Sequence, residues 1–230
     1  MATFSKFNDI QAVMEKASNS LPSIENHYSD CLKKEKIPDG LLVDIKDYLA
    51  NLRTALDYLW HKIPNIHGDY FPVANSKADL APKVSGIDTQ IAVIVESFQD
   101  YDSNSWIRCF NLFRNKNVHL TLVPQTRKTT NEFSVKKAGS NETIATFRGC
   151  TFGGTGNHIS MLGVPMPIDL GTQFPKDVQG LDIDRKIWVD FLFDGTSISP
   201  NFPVGVSALP FLKQSLAKVQ DILNTVEQKL

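Results

Sequence analysis

The sequence predicts an α+β protein, a bundle of four or five helices with a small antiparallel β-sheet inserted before the C-terminal helix. Two observations carry this expectation. Apolar residues recur at three- and four-residue steps through the first half of the chain and again at its end, the spacing of helices that bury one face. Between those stretches, after Pro124, the texture changes to Thr, Ser, Gly and β-branched residues in short alternating runs, the pattern of strands.

From Phe7 to about Lys36 the positions Phe7, Ile10, Val13, Met14, Ala17, Leu21, Ile24, Tyr28, Cys31 and Leu32 form one amphipathic stripe. Pro22 lies inside it. Proline removes a backbone donor and clashes with the preceding turn, so one kinked helix and two separate helices are both open. Ile37-Pro38-Asp39-Gly40 supplies a turn, with Pro38 suited to open the next helix. Leu41, Leu42, Ile45, Tyr48, Leu49, Leu52, Leu56, Leu59, Trp60 and Ile63 then give the clearest helical stripe, ending before Pro64. Residues 64–85 are rich in Pro, Asn, Gly and Ser and predict a loop crossing the bundle, with Phe71-Pro72-Val73 tucked against it. Ile87–Phe98 predicts a shorter helix. A fourth starts at about Asn104, with Trp106, Ile107, Phe110, Leu112 and Phe113 as its apolar positions.

Beyond Pro124, Glu132–Lys137, Thr143–Arg148 and Lys186–Phe193 predict strands, and Asp194-Gly195 a turn. The Pro/Gly-rich stretch 153–180 predicts loop with one strand around Ile159–Leu162. Val206, Leu209, Leu212, Leu216, Val219, Ile222, Leu223 and Val226 restore helical spacing. The expected organisation is a helical bundle over 1–125, a β-rich insertion over 126–200, and a final helix over 201–230 that packs back on the bundle.

Composition narrows the functional classes. Lys plus Arg number 24 and Asp plus Glu 25, a formal net charge of −1, so no global basic field marks a nucleic-acid binder and any such contact must be local. Cys31, Cys109 and Cys150 are far apart and odd in number, without metal-binding spacing, which argues against a disulfide framework or a zinc site. No cofactor or metal is expected. Neither a signal-peptide block nor a membrane-length apolar run is present, so the expected location is the cytoplasm, with no membrane partner. Asn141-Glu142-Thr143 matches a glycosylation sequon that has no meaning in that setting. Gly153-Gly154-Thr155-Gly156 lacks the lysine and the strand-to-helix context of a phosphate loop, and Cys150 beside it has no partner suggesting a nucleophile.

The stretch Arg114-Asn115-Lys116-Asn117-Val118-His119 carries the chemistry. An arginine and a histidine at one site offer a permanent cation for charge building on phosphorus and an imidazole that moves protons near neutral pH. On a regular helix Asn115 and His119 share a face, whereas Arg114 and His119 stand about 140° apart at ~100° per residue, so a bend or a composite of two subunits must reunite them. Arg53 and Asp57 have the spacing of an i, i+4 ion pair. The plain expectation is a surface bridge of ~0.3–0.5 kcal/mol; the functional one is a supporting pair that orients the motif across the bundle. His61 could join that pair or end its helix. Trp60, Trp106 and Phe113 are expected in the core, with base stacking the alternative for an aromatic near the motif. A metal-dependent hydrolase built on His61, His67 and Asp69 has little behind it, because His67-Gly68-Asp69 is more simply a turn.

Asn51-Leu52-Arg53-Thr54-Ala55-Leu56-Asp57-Tyr58-Leu59, the following Phe71-Pro72-Val73, and a later Asn-Lys-x-x-His with hydrophobic flanks resemble uncharacterised bacterial proteins with HEPN-like helical domains, over roughly residues 6–125 and the last helix. HEPN ribonucleases carry an arginine, four to six residues, then a histidine, often with a polar residue after the arginine; Arg114, Asn115 and His119 match. The resemblance implies a homodimer, or a pair of domains, with two motifs facing one cleft that cuts RNA without metal; the expected substrate is single-stranded RNA, and the expected setting a toxin or defence effector with a neutralising partner protein. Its rival is a non-catalytic HEPN-like dimerisation, interaction or nucleotide-binding module, which the near-zero net charge favours.

Overall fold

The computed structural model describes residues 7–31, 37–101, 105–119, 122–137, 139–140, 142–148, 158–161, 164–167, 181–194 and 206–230. Among them are the helices α1 (Asn8–Cys31), α2 (Asp39–Trp60), α3 (Lys77–Leu80), α4 (Thr89–Ser97), α5 (Trp106–His119) and α6 (Ala208–Glu227). The strands are β1 (Gln125–Lys137), β2 (Thr143–Arg148), β3 (His158–Met161), β4 (Val164–Pro167) and β5 (Leu181–Phe193). The chain is therefore α+β, and it divides into two compact units: residues 1–127 with 191–230, and residues 128–190.

The helical unit is built around α2, which packs against α1, α5 and α6. Its stripe explains why: Leu49, Leu52, Ala55, Leu56 and Trp60 are fully buried, so the helix is held by core contacts on more than one side. At about 1.5–3 kcal/mol for each large apolar side chain removed from water, this face outweighs any surface interaction along the helix. α1 runs unbroken through Pro22, which is exposed, so the chain forms one long helix there rather than two. Proline on the solvent side leaves Ile10, Ala17, Ile24 and Tyr28 free to bury the opposite face. Helix α5 is fixed in rotation by Phe113, whose ring lies 4.0 Å from that of Phe193 and 6.1 Å from that of Phe211 on α6. That same anchor sets where its neighbour Arg114 leaves the helix. Among the described residues no helix is long and apolar enough to cross a membrane.

In the second unit the late half of β1 pairs antiparallel with β2, Phe133 opposite Phe147 and Val135 opposite Ala145, with a register shift between Val135 and Lys136. Gly139, at φ +73°, takes the left-handed turn conformation that residues with a Cβ rarely adopt. Strand order in the larger sheet is β2-β1-β5, and β3 and β4 form a separate antiparallel pair.

Four elements differ from the sequence expectation: α3, β1, β4 and β5. The stretch 64–85 holds the short helix α3, whose N-terminus is capped by the Ser76 hydroxyl accepting from the Asp79 N–H at 3.1 Å. β1 starts at Gln125 and β5 at Leu181, earlier than their apolar alternation suggests; Thr126, Arg127, Lys128 and Thr129 are exposed, so no buried face writes a pattern there. Within 153–180 there are two strands rather than one. Pro165 and Pro167 in β4 hid the second: proline reads as loop, yet in a two-stranded sheet each strand has an unpaired edge that tolerates a missing donor. Residues 149–157, including Cys150 and the Gly153–Gly156 cluster, lie outside the described residues, as do Asn141 and Gly195.

Candidate functional site

The helical unit carries an open cleft of about 810 Å³, walled on one side by α5, on the other by the loop from His67 to Val73, with Arg53 of α2 in its lining. That volume lies within the ~300–1,000 Å³ typical of small-molecule sites.

The loop wall has no regular secondary structure, yet side chains from three sides hold its backbone. Arg53 donates to the Phe71 carbonyl at 2.8 Å, and Asp57 Oδ1 accepts from the Phe71 N–H at 2.9 Å. Gln99, fully buried, donates to the Pro72 carbonyl at 3.1 Å and accepts from the Ala74 N–H at 3.0 Å. Lys83 donates to the Val73 carbonyl at 3.0 Å, and His61 Nε2 stands 2.9 Å from the Asp69 carbonyl. The Phe71 ring meets Trp60 edge-on at 6.0 Å, which drives the loop onto α2. Gly68, at φ +85°, makes the turn that lets the chain enter the wall.

Arg53 is not on the surface. Its side chain is 6% exposed and that of Asp57 13%, with Nη2 3.1 Å from Oδ1 and Nε 3.3 Å from Oδ2. The expectation of a weak surface bridge is overturned, because the Phe71 loop folds over α2 and shields both groups from water. Burial pushes the Arg53 guanidinium below its usual range; the Asp57 carboxylate opposes that shift and the Arg114 cation adds to it. Arg53 and Arg114 are thus close enough to feel each other. Asp57 braces Arg53 from behind and is not in the lining.

Arg114 and Asn115 also line the cleft, and Arg114 Nη1 donates to Asn115 Oδ1 at 3.0 Å. No carboxylate pairs with Arg114 among the described residues. Its Nε, like Nη1 of Arg53, is buried without a hydrogen-bond partner there. Both atoms are closed to solvent, so what the cleft presents to an anion is the remainder of the Arg114 guanidinium, with no carboxylate beside it among the described residues. His119 closes α5, and its side chain lies outside the described residues. Position 119 nevertheless falls, at ~100° per residue, inside the arc of α5 spanned by the lining positions 114, 111, 115, 112 and 116.

Trp60 and Phe113 are fully buried, and Trp106 is half-buried with its Nε1 donating to Ser215 Oγ at 3.0 Å, so none of the three is free to stack a base. Sequence reasoning missed Tyr70, Lys83 and Asn111 of the lining. Asn111 sits one helical turn before Asn115, a signal that was present. Tyr70 follows Gly68-Asp69 in a turn-rich loop, where an aromatic has no periodic face to serve. His61 ends α2, as one of its two expectations had it. No family model, no curated protein and no solved structure matches this chain.

Proposed function

We propose that this chain is a metal-independent endoribonuclease of HEPN type, acting on single-stranded RNA in the cleft between α5 and the Phe71 loop. The observation that carries the proposal is the Arg114 guanidinium, which lines the cleft, is held by Asn115 and pairs with no carboxylate among the described residues. It supplies a held cation for a phosphate, and a preorganised charge is worth most where water is excluded. Arg114 neutralises the phosphate as the 2'-hydroxyl attacks phosphorus. Asn115 holds the Arg114 guanidinium in place. His119 takes the proton from the 2'-hydroxyl or returns one to the leaving 5'-oxygen, giving a 2',3'-cyclic phosphate and a free 5'-hydroxyl. The place of position 119 within the lining arc of α5 supports this assignment. By the resemblance, two copies of the chain bring their motifs to one cleft.

The rival reading is a non-catalytic nucleotide-binding or dimerisation module, favoured by the net charge of −1. Incubation of wild-type and His119→Ala protein with mixed single-stranded RNA in the presence of a chelator separates them. Cyclic phosphate ends made by the wild type and lost in His119→Ala support the nuclease; no cutting, or equal cutting by both, rejects it.

A further inference from the structure

We propose that Tyr70 and Arg114 form one nucleotide seat, in which the phosphate is held by the Arg114 guanidinium and its base stacks on the Tyr70 ring. The proposal deepens the RNA reading of the same cleft and rests on it for the class of ligand.

Tyr70 is 65% exposed, the most exposed large hydrophobic side chain among the described residues. It lines the cleft with Arg53, Lys83, Asn111, Arg114 and Lys116. An aromatic ring with a free face costs little to immobilise, because the backbone of its neighbour Phe71 is pinned through both N–H and carbonyl.

The charges select the ligand. Arg53 is already compensated by Asp57, whereas among the described residues Arg114 bonds to the neutral amide of Asn115 and to no carboxylate, which leaves an uncompensated cation in the lining. Among the described residues Lys83 and Lys116 form no ion pair, and Asp69 is the one acidic residue of the lining. A guanidinium fork matches phosphate geometry bidentately. Base–aromatic stacking is tolerant of sequence because every base presents a π-face, and the Asn111 amide, both donor and acceptor, can meet a base edge. Anion, flat ring and polar edge together describe a nucleotide unit of a single strand.

The test uses the full chain and a fluorescein-labelled single-stranded dT decamer, read by anisotropy. The probe lacks the 2'-hydroxyl, so binding is measured without cleavage. Tyr70→Ala is expected to weaken binding about tenfold and Tyr70→Phe to restore it, since the ring and not the hydroxyl carries the stacking. Arg114→Gln is expected to weaken binding about tenfold and to reduce the competition by inorganic phosphate. Affinity unchanged in Tyr70→Ala, or no binding of the decamer by the wild type, overturns the seat. The exposure of Tyr70 makes misfolding of its variants an unneeded explanation, and circular dichroism of each variant checks it. RNA cutting that is indifferent to Tyr70 would leave the nuclease standing and remove the seat; a Tyr70-dependent decamer complex without any RNA cutting would do the reverse.

Discussion

Arg53 and Asp57 sit where one substitution reaches both stability and the site. Removing one partner of a buried ion pair leaves an uncompensated charge and costs about 3–5 kcal/mol. Asp57→Ala also strips the Phe71 N–H of its acceptor, so it is expected to lower the free energy of unfolding in urea by about 3 kcal/mol or more. Asp57→Asn, which keeps an acceptor for that N–H, should recover part of the loss. If Asp57→Ala unfolds at the wild-type urea concentration, the pair contributes no more than a surface bridge. The i, i+4 spacing of these two residues was legible in the sequence; their burial was not, because it depends on a loop 18 residues away laying its Phe71 carbonyl on Arg53. Arg114 and Asn115 were legible as a motif for a different reason: they are adjacent in the chain and touch each other directly. Tyr70 was not, since exposure in a loop leaves no pattern to read.

Helices declared themselves in proportion to how much of a face they bury. α2 and α6 bury regular stripes and were readable to within a few residues, whereas α3 is a single capped turn whose only sequence sign is Ser76 three residues before Asp79. Strands followed the same rule. β2 occupies the residues its alternation marks, while β4 was concealed by its prolines and the exposed start of β1 by its polarity. Pro22 illustrates how an element overrides a local penalty: the buried residues on either side of it hold α1 continuous through a position that proline disfavours. Because Pro22 is exposed, Pro22→Ala is expected to stabilise the protein by about 2 kcal/mol, the ~3 kcal/mol cost of an interior proline less up to ~1 kcal/mol of unfolded-chain entropy. Thermal unfolding checks this; a lowered midpoint would mean that the proline is shaping a bend the packing requires.

Across the whole molecule, charge balance and local charge point in opposite directions, and the local arrangement decides. A net charge of −1 gives no long-range pull on a polyanion, yet the described residues of the cleft gather three cations, Lys83, Arg114 and Lys116, beyond the compensated Arg53 and against the single carboxylate of Asp69. With about three phosphates neutralised, the logarithm of single-strand affinity should fall with the logarithm of salt at a slope of about −2. Fluorescence titrations of the dT decamer between low and moderate salt measure it, and a slope far steeper would place the contact on a broader surface than the cleft. Composition showed that any nucleic-acid contact must be confined; it could not show where, because the cleft is walled by α5 and by a loop between α2 and α3 that residues distant in the chain hold in place. That wall has a further implication for how anything enters. The amides of Phe71 and Ala74 belong to no helix or sheet but donate to side chains, so in hydrogen exchange they should outlast other loop amides and resemble those of the core. A ligand would then meet a surface already in its final shape, with no ordering step to slow its arrival or to subtract from its affinity.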